Sequence, residues 1–480
     1  MKQNVWIVTT FFMFFSIIYL ICGDTLTYNR DVEHTAQAIR KFGQMYRRVK
    51  RYAIFNKGVQ KKPSFIKRLG IKLKTNFLKL KAMMNRKLYQ GDILLTKQQS
   101  QGILQQLRMK FFKRGIRLPS FGFSNVTRIK RRVVTDLAFK WEGAIPFYVE
   151  PNINENLVTN ALVQIQRETC LRFKQVRSAS FQTSGIRYFV GSGCNSYVGK
   201  IYDDRFQDIS LGSDCYETGI VQHETMHALG FFHEQSRLDR DKFVVILKQN
   251  VEPKQLHNFD IVDVKDGLDY GLPYDYTSIM HYAGTLFSLN GQPTSMPKDK
   301  NYIMSMGAGD ATSFLDYKFL NLHYCGQICR NRIDCRNWGY QDPNNCGRCK
   351  CPKGFDGVNC EKVAALPGDC GRPAYKATPK IQEIYVKGLK NCFYAISAEQ
   401  GQRIAFKLVF SLISPGFTEY CTIQNSVEFK YYRDKSITGA RFCLKDMESV
   451  RITQNNYLMI AYNSNQPNNY ATILFKAINF

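Results

Sequence analysis

The residues best suited to do chemistry sit together at His223-Glu224-Thr225-Met226-His227-Ala228-Leu229-Gly230-Phe231-Phe232-His233. On a helix, His223 and His227 lie one turn apart on the same face, so both imidazoles reach one metal ion. Glu224 points near that face and suits a general base beside a metal-held water. Gly230 accepts positive φ at low cost, so it ends the helix and turns the chain. That turn brings His233 in as a third nitrogen ligand. Three protein ligands with one open position are the pattern of catalytic rather than structural zinc. The bland alternative is a set of surface histidines with no metal. The extension to Gly230 and His233 is demanding enough to argue against it.

Further along, Ser278-Ile279-Met280-His281-Tyr282 supplies the methionine turn that completes a metzincin pattern. Met280 reads as an apolar floor under the histidines, and His257 and His281 as packed or exposed residues without a role. The run HETMHALGFFHEQSRLDRD (223–241) resembles the signature of the astacin family of zinc metalloendopeptidases, including its tail from Glu234 through Arg237, Asp239, Arg240 and Asp241. SGCNSYVG (192–199), ISLGSDC (209–215) and YDYTSIMHYAGTLFSLNGQPT (274–294) extend the match over most of residues 132–326. The resemblance implies an α+β protease domain: an upper lobe with a twisted sheet and the zinc helix, a mostly irregular lower lobe, and a substrate cleft between them. It implies that His223, His227 and His233 bind one Zn2+, that Glu224 is the base and that Tyr282 is the switching tyrosine that helps stabilise the oxyanion. It also implies the disulfides Cys170–Cys325 and Cys194–Cys215.

The elements that must carry this site belong to a chain of 480 residues with 67 Lys and Arg against 39 Asp and Glu. Hydrophobic residues make up 44% and charged residues 22%, which excludes wholesale disorder. The apolar run Val5–Ile21 after Lys2 reads as a signal peptide over 1–23, with an uncleaved anchor as the alternative. The net charge of +28 is unevenly placed: residues 24–131 hold 27 basic and four acidic residues. This block ends in Arg128-Ile129-Lys130-Arg131-Arg132, which resembles a furin-like convertase site; a solvated basic loop is the alternative. Residues 24–131 therefore read as a propeptide, released by a cut after Arg131 or after Arg132.

Within the block, Tyr89-Gln90-Gly91-Asp92-Ile93 resembles the astacin propeptide motif. The resemblance implies that Asp92 takes the catalytic water's place on zinc and keeps the zymogen silent; an Asx turn is the alternative. In the family the new amino terminus then becomes buried near the glutamate after the third histidine, here Glu234. The sequon Asn125-Val126-Thr127 offers one glycosylation site.

Cys22 falls in the signal peptide and fourteen cysteines remain. They divide into Cys170, Cys194, Cys215 and Cys325; then Cys329, Cys335, Cys346, Cys349, Cys351 and Cys360; then Cys370, Cys392, Cys421 and Cys443. Each group can close its own pairs, with 15 connectivities open to the six and three to each four. Cys349–Cys360 looks like the end of an EGF-like module (327–361), which implies Cys329–Cys346, Cys335–Cys349 and Cys351–Cys360. No calcium is predicted there, because the usual acidic segment is missing before Cys329. Residues 370–480 resemble a CUB domain, an all-β sandwich, implying Cys370–Cys392 and Cys421–Cys443. Glu361–Asp369 reads as a linker. The modules read equally as spacers or as recognition surfaces.

The leading expectation is a secreted endopeptidase acting on extracellular proteins, matrix or cuticle proteins among them, and activated by a convertase. No nucleic acid and no membrane span after signal removal are expected. A silent adhesion protein of the same fold would need a broken triad, base or methionine turn, and all are intact. A polyanion binder would need its basic residues on the mature surface, where the net charge is only +4.

Overall fold

The computed structural model describes residues 28, 30–41, 88–112, 140–179, 182–262, 269–365, 368–414, 420–443 and 447–479. The signal run, Asn125, Arg131 and Arg132 lie outside the described residues.

The first domain is built on a six-stranded sheet. Its strands are β1 (Ile93–Leu94), β2 (Ala144–Val149), β3 (Arg172–Gln175), β4 (Gly185–Phe189), β5 (Cys194–Tyr197) and β6 (Phe206–Leu211), in the order β1-β5-β6-β4-β2-β3. Strands β2, β3, β4 and β6 run parallel, whereas β5 lies antiparallel to β6. All six residues of β6 are buried, as a strand covered on both faces requires. The outermost strand, β1, comes from the basic amino-terminal block and pairs parallel with β5.

Two helices close the sheet. Helix Glu155–Glu168 is capped by Asn154, whose side chain accepts from the Leu157 N–H, and buries Val158, Ala161, Leu162 and Ile165 at helical spacing. The site helix, Thr218–Ala228, is buried on nearly every side. Its Thr225 hydroxyl meets Tyr188 of β4 at 2.9 Å, and Val221 and Met226 join Ile145, Phe147, Ile186, Ile209 and Leu211 in one core. Gly230 ends the helix at φ 104°, and Phe231 N–H reaches back to the Met226 carbonyl.

Below the site helix the chain is mostly irregular. Short 3-10 turns, the ribbon Val244–Ile246 with Ser295–Pro297, and the loop 299–310 lead to helix Phe314–Tyr324. Backbone groups without a ladder must find side-chain partners, and Asp316 shows how. It completes the capping box with Ser313, and it also accepts from Ser278 Oγ at 2.6 Å and Ile279 N at 3.0 Å. One carboxylate thereby stops a helix and holds the methionine turn.

The disulfides pair Cys170–Cys325, Cys194–Cys215, Cys329–Cys346, Cys335–Cys349, Cys351–Cys360, Cys370–Cys392 and Cys421–Cys443, the seven pairs the resemblance implies. The small module is two short ribbons. The second pairs Phe355–Asp356 with Lys362–Val363, so the start of the expected linker is instead a strand of this module. Its two glycine turns let the chain fold back far enough for Ala364 N to reach Gly354 O. The last module is a sandwich of a five-stranded and a four-stranded sheet, as an all-β CUB fold requires. Among the described residues, no helix is long and apolar enough to cross a membrane.

One contact leaves no room for a side chain. Gly307 has φ +68°, and a Cβ there would collide with the carbonyl oxygen of Tyr282. Gly307→Ala is expected to destabilise the fold by more than about 1 kcal/mol, since both the φ and the space oppose it. A chemical-denaturation midpoint equal to that of the parent would contradict this packing.

Candidate metal centre

The site helix carries His223 and His227, the turn at Gly230 delivers His233, and a tight loop from the amino-terminal block delivers Asp92. Tyr89 and Ile93 cinch that loop with two backbone hydrogen bonds of 3.0 and 2.9 Å. The reversal uses Gly91 at φ 86° and also Gln90 at φ 49°, a conformation disfavoured for a residue with a Cβ. Asp92 lies at its tip, 2% exposed, with its carbonyl accepting from Ser196 N of β5.

The four groups converge. Asp92 Oδ2 is 3.3 Å from His223 Nε2 and 3.1 Å from His233 Nε2, and Asp92 Oδ1 is 3.7 Å from His227 Nε2. The four candidate ligand atoms lie within 4.8 Å of one another. Each imidazole is oriented through its other nitrogen. His223 Nδ1 donates to Ile279 O at 2.8 Å, His227 Nδ1 to Phe231 O at 2.8 Å, and His233 Nδ1 to Gln90 Oε1 at 2.7 Å. With the protons on Nδ1, the three Nε2 atoms present lone pairs to a common point.

Protonation favours the same arrangement. Burial lowers His227 and His233, the latter to about 4, so both are neutral at neutral pH. Burial alone raises the Asp92 carboxyl, and only positive charge among the facing nitrogens, from a proton or a cation held there, brings it well below the usual carboxylate range. Three lone pairs and a carboxylate facing one another repel unless a cation lies between them. The buried His227 Nε2 and Asp92 Oδ1 have no hydrogen-bond partner, which agrees with that demand. Three neutral nitrogens and one carboxylate oxygen in a small cluster are a donor set that fits zinc.

Glu224 is buried next to these ligands, with Oε2 unpartnered. Burial, then the charge of Asp92, raises its carboxyl well above the ordinary value. The Tyr282 hydroxyl donates to Gln90 O at 2.5 Å, and its ring lies 4.6 Å from that of His233. Met280 is 1% exposed and packs in the core that holds Met226 and Leu229. His257 and His281 are buried; His281 bridges the Tyr282 carbonyl and the Tyr274 hydroxyl.

Beside His233 lies a cavity of about 130 Å³, lined by Glu234, Arg237, Asp275, Ser278 and Asp316 among others. Burial raises the Glu234 carboxyl to about 7, against the pull of Arg237 at 3.1 Å. Asp316 is likewise raised by burial, to about 6, with Asp275 adding to the effect.

Three contributors escaped the sequence reading. Gln90 orients His233 and holds Tyr282, although it sits inside the quoted propeptide motif. Asp316 supports the turn whose Ile279 carbonyl orients His223; its sequence signal is only a capping box. Gln235 Oε1 accepts from Tyr282 N, and nothing in its spacing announces that.

The family description of the astacin peptidases matches residues 133–325. The chain is 37% identical over 383 residues to zinc metalloproteinase nas-34 of Caenorhabditis elegans, covering 78% of this chain and 62% of that one. It is 36% identical over 372 residues to zinc metalloproteinase nas-23 of the same organism, covering 75% of this chain and 66% of that one. The chain thus spans less than two thirds of either relative's length. Among solved structures it is similar to high choriolytic enzyme 1, a hatching enzyme zinc-protease from Oryzias latipes. That match has 30% identity, a TM-score of 0.36, and covers 39% of this chain and 96% of that one.

Metal analysis of the purified full chain is expected to return about one zinc per chain. His227→Ala, which removes the deepest of the three nitrogens, is expected to lose it on dialysis. Retention of a full equivalent by that variant would move the metal elsewhere.

Proposed function

The chain belongs to the astacin family of peptidases, and from that premise we propose that it is a secreted zinc-dependent endopeptidase of extracellular proteins, made as a silent zymogen. The observation that carries this reading is the convergence of three tautomer-fixed histidines on one point shared with Asp92. In this reading residues 1–23 are a signal peptide and 24–131 a propeptide, glycosylated at Asn125 and cut by a convertase after Arg131 or Arg132. Residues 132–326 form the protease, 327–361 the EGF-like module and 370–480 the CUB domain.

His223, His227 and His233 would hold the zinc ion, which when bound supplies a Lewis acid that polarises a carbonyl and acidifies water. Asp92 occupies the position a catalytic water needs. While it stays, Glu224 has no water to act on, and burial and then the Asp92 charge raise its carboxyl. Departure of the propeptide removes that charge and admits solvent, and both changes lower the Glu224 pKa toward a working base. Glu224 then takes the proton of the attacking water and returns it to the leaving amine. Tyr282, released from the Gln90 carbonyl, is free to donate its hydroxyl to the oxyanion. The edge of β5, bare once β1 leaves, suits an extended peptide added as a strand.

The cavity beside Glu234 supports the second part of activation. The mature amino terminus is a cation, and the Glu234 carboxylate lining this cavity, 16% exposed, is the anion that would receive it. Pairing there would pull Glu234 down from about 7 and secure its ionised form. Substrates are extracellular proteins, with matrix or cuticle proteins proposed by family analogy.

Glu224→Ala is expected to abolish peptide cleavage with zinc content still near one per chain; robust proteolysis by this variant would refute the assignment. Asp92→Ala in the uncut chain is expected to raise basal activity and loosen the latch. Activity unchanged from the intact zymogen would count against Asp92 as the latch.

A further inference from the structure

The CUB-like sandwich does not hang from the protease on a tether. Its five-stranded sheet packs against the loop 299–310, and the two share one apolar core. Tyr274, Tyr276, Tyr302 and Met306 of the protease cluster with Phe406, Val427, Phe429 and Tyr431 of the sandwich. The polar contacts are dense and largely buried. Asp299 Oδ2 accepts from the hydroxyls of Tyr431 and Tyr432, at 2.5 and 2.9 Å. Tyr302 donates to Thr438 O at 3.0 Å, and Ser305 Oγ accepts from Arg441 N at 3.1 Å. Asp310 meets the Arg441 guanidinium at 3.1 Å, and Arg441 also faces Glu428 at 3.7 Å. Arg441 and Glu428 side chains are 4% and 2% exposed, so this charge cluster fixes the docking register.

Two routes lead from this interface to the catalytic side chains. The first is hydrogen-bonded. Thr438 Oγ1 donates to Asp275 Oδ2 at 3.2 Å, and Asp275 N donates to Glu234 Oε1 at 3.0 Å. The second is packing. Tyr432, Tyr302, Tyr276 and Tyr274 form successive ring contacts of 5.8, 4.5 and 5.4 Å, and Tyr274 then meets His281 at 5.6 Å. His281 holds the carbonyl of Tyr282, against which Gly307 of the docking loop also presses without room for a Cβ.

We propose that the CUB-like sandwich is a fixed buttress of the catalytic cleft, with Thr438 and Arg441 as positioning residues that act through Asp275 and the loop 299–310 on Glu234 and Tyr282. It rests on the endopeptidase reading above and extends the machinery beyond residues 132–326. The module is then neither a spacer nor only a recognition surface.

The test uses the activated full-length protein, a peptide substrate and hydrogen exchange. Thr438→Val and Arg441→Met are expected to lower kcat by roughly 3- to 30-fold. KM is expected to stay within about twofold and zinc near one per chain. Thr438→Ser, which restores the hydroxyl, is expected to recover the parent kcat. Arg441→Met is also expected to expose the amides of 274–282 and 299–310 to exchange. Parent-level kcat in both variants overturns the positioning role, and unchanged exchange overturns the buttress. Should Arg441→Met fail to fold, Thr438→Val, which loses a single hydroxyl, carries the comparison. A parent that hydrolyses no peptide sinks the peptidase reading alone, and exchange then decides the buttress separately.

Discussion

A neutral imidazole offers a lone pair from only one of its two nitrogens, and much of this structure serves to choose which. The three Nδ1 atoms are committed to oxygens from three different places: Ile279 in the methionine turn, Phe231 just past the site helix, and Gln90 in the amino-terminal block. In this structure the Nε2 lone pairs meet at one point because the helix, its terminating turn, the lower lobe and the amino-terminal block are in register. In the activation proposed above, the Gln90 anchor is the one that would leave, so His233 would lose the partner of its Nδ1.

The lower lobe meets a related demand with little secondary structure. An irregular chain leaves backbone groups without ladders, and here buried carboxylates take their place. Asp316 serves Ser278, Ile279 and Ser313, while Asp275 serves Thr277 and receives Thr438. Burial raises these carboxyls, which measures the desolvation that such a scaffold must tolerate. The reward is specificity of geometry: each carboxylate holds several otherwise unrelated groups in one arrangement.

The parts of this architecture legible in sequence were those encoded locally or by resemblance. The helix at 218–228 follows from histidines one turn apart, and its end follows from Gly230. Cysteine grouping separated the three disulfide-bearing regions, although grouping alone could not choose among pairings. The limit lay in contacts between distant segments. Asp316 looks like a helix cap, and its second task depends on a turn 38 residues earlier in the chain. The strand Lys362–Val363 was hidden because a two-residue ribbon has no periodicity to read. The contact from Thr438 to Asp275 spans 163 residues and two modules, and no spacing rule reaches that far.

Asp92 reaches the histidines on the same covalent chain, so its occupancy of the centre is a matter of effective concentration. In the proposed zymogen, dilution into a large extracellular volume would leave latency untouched while the backbone is intact, because the blocking group travels with its target. The proposed cut after Arg131 or Arg132 would change the order of the reaction. The freed segment would then have to find the cleft by diffusion, and its grip would weaken with every further dilution. The same pairing of Ile93–Leu94 with β5 that seats the carboxylate thus has two lives. On the proposed processing it would be concentration-independent before the cut and concentration-dependent after it, so the volume of release would itself help to make activation one-way.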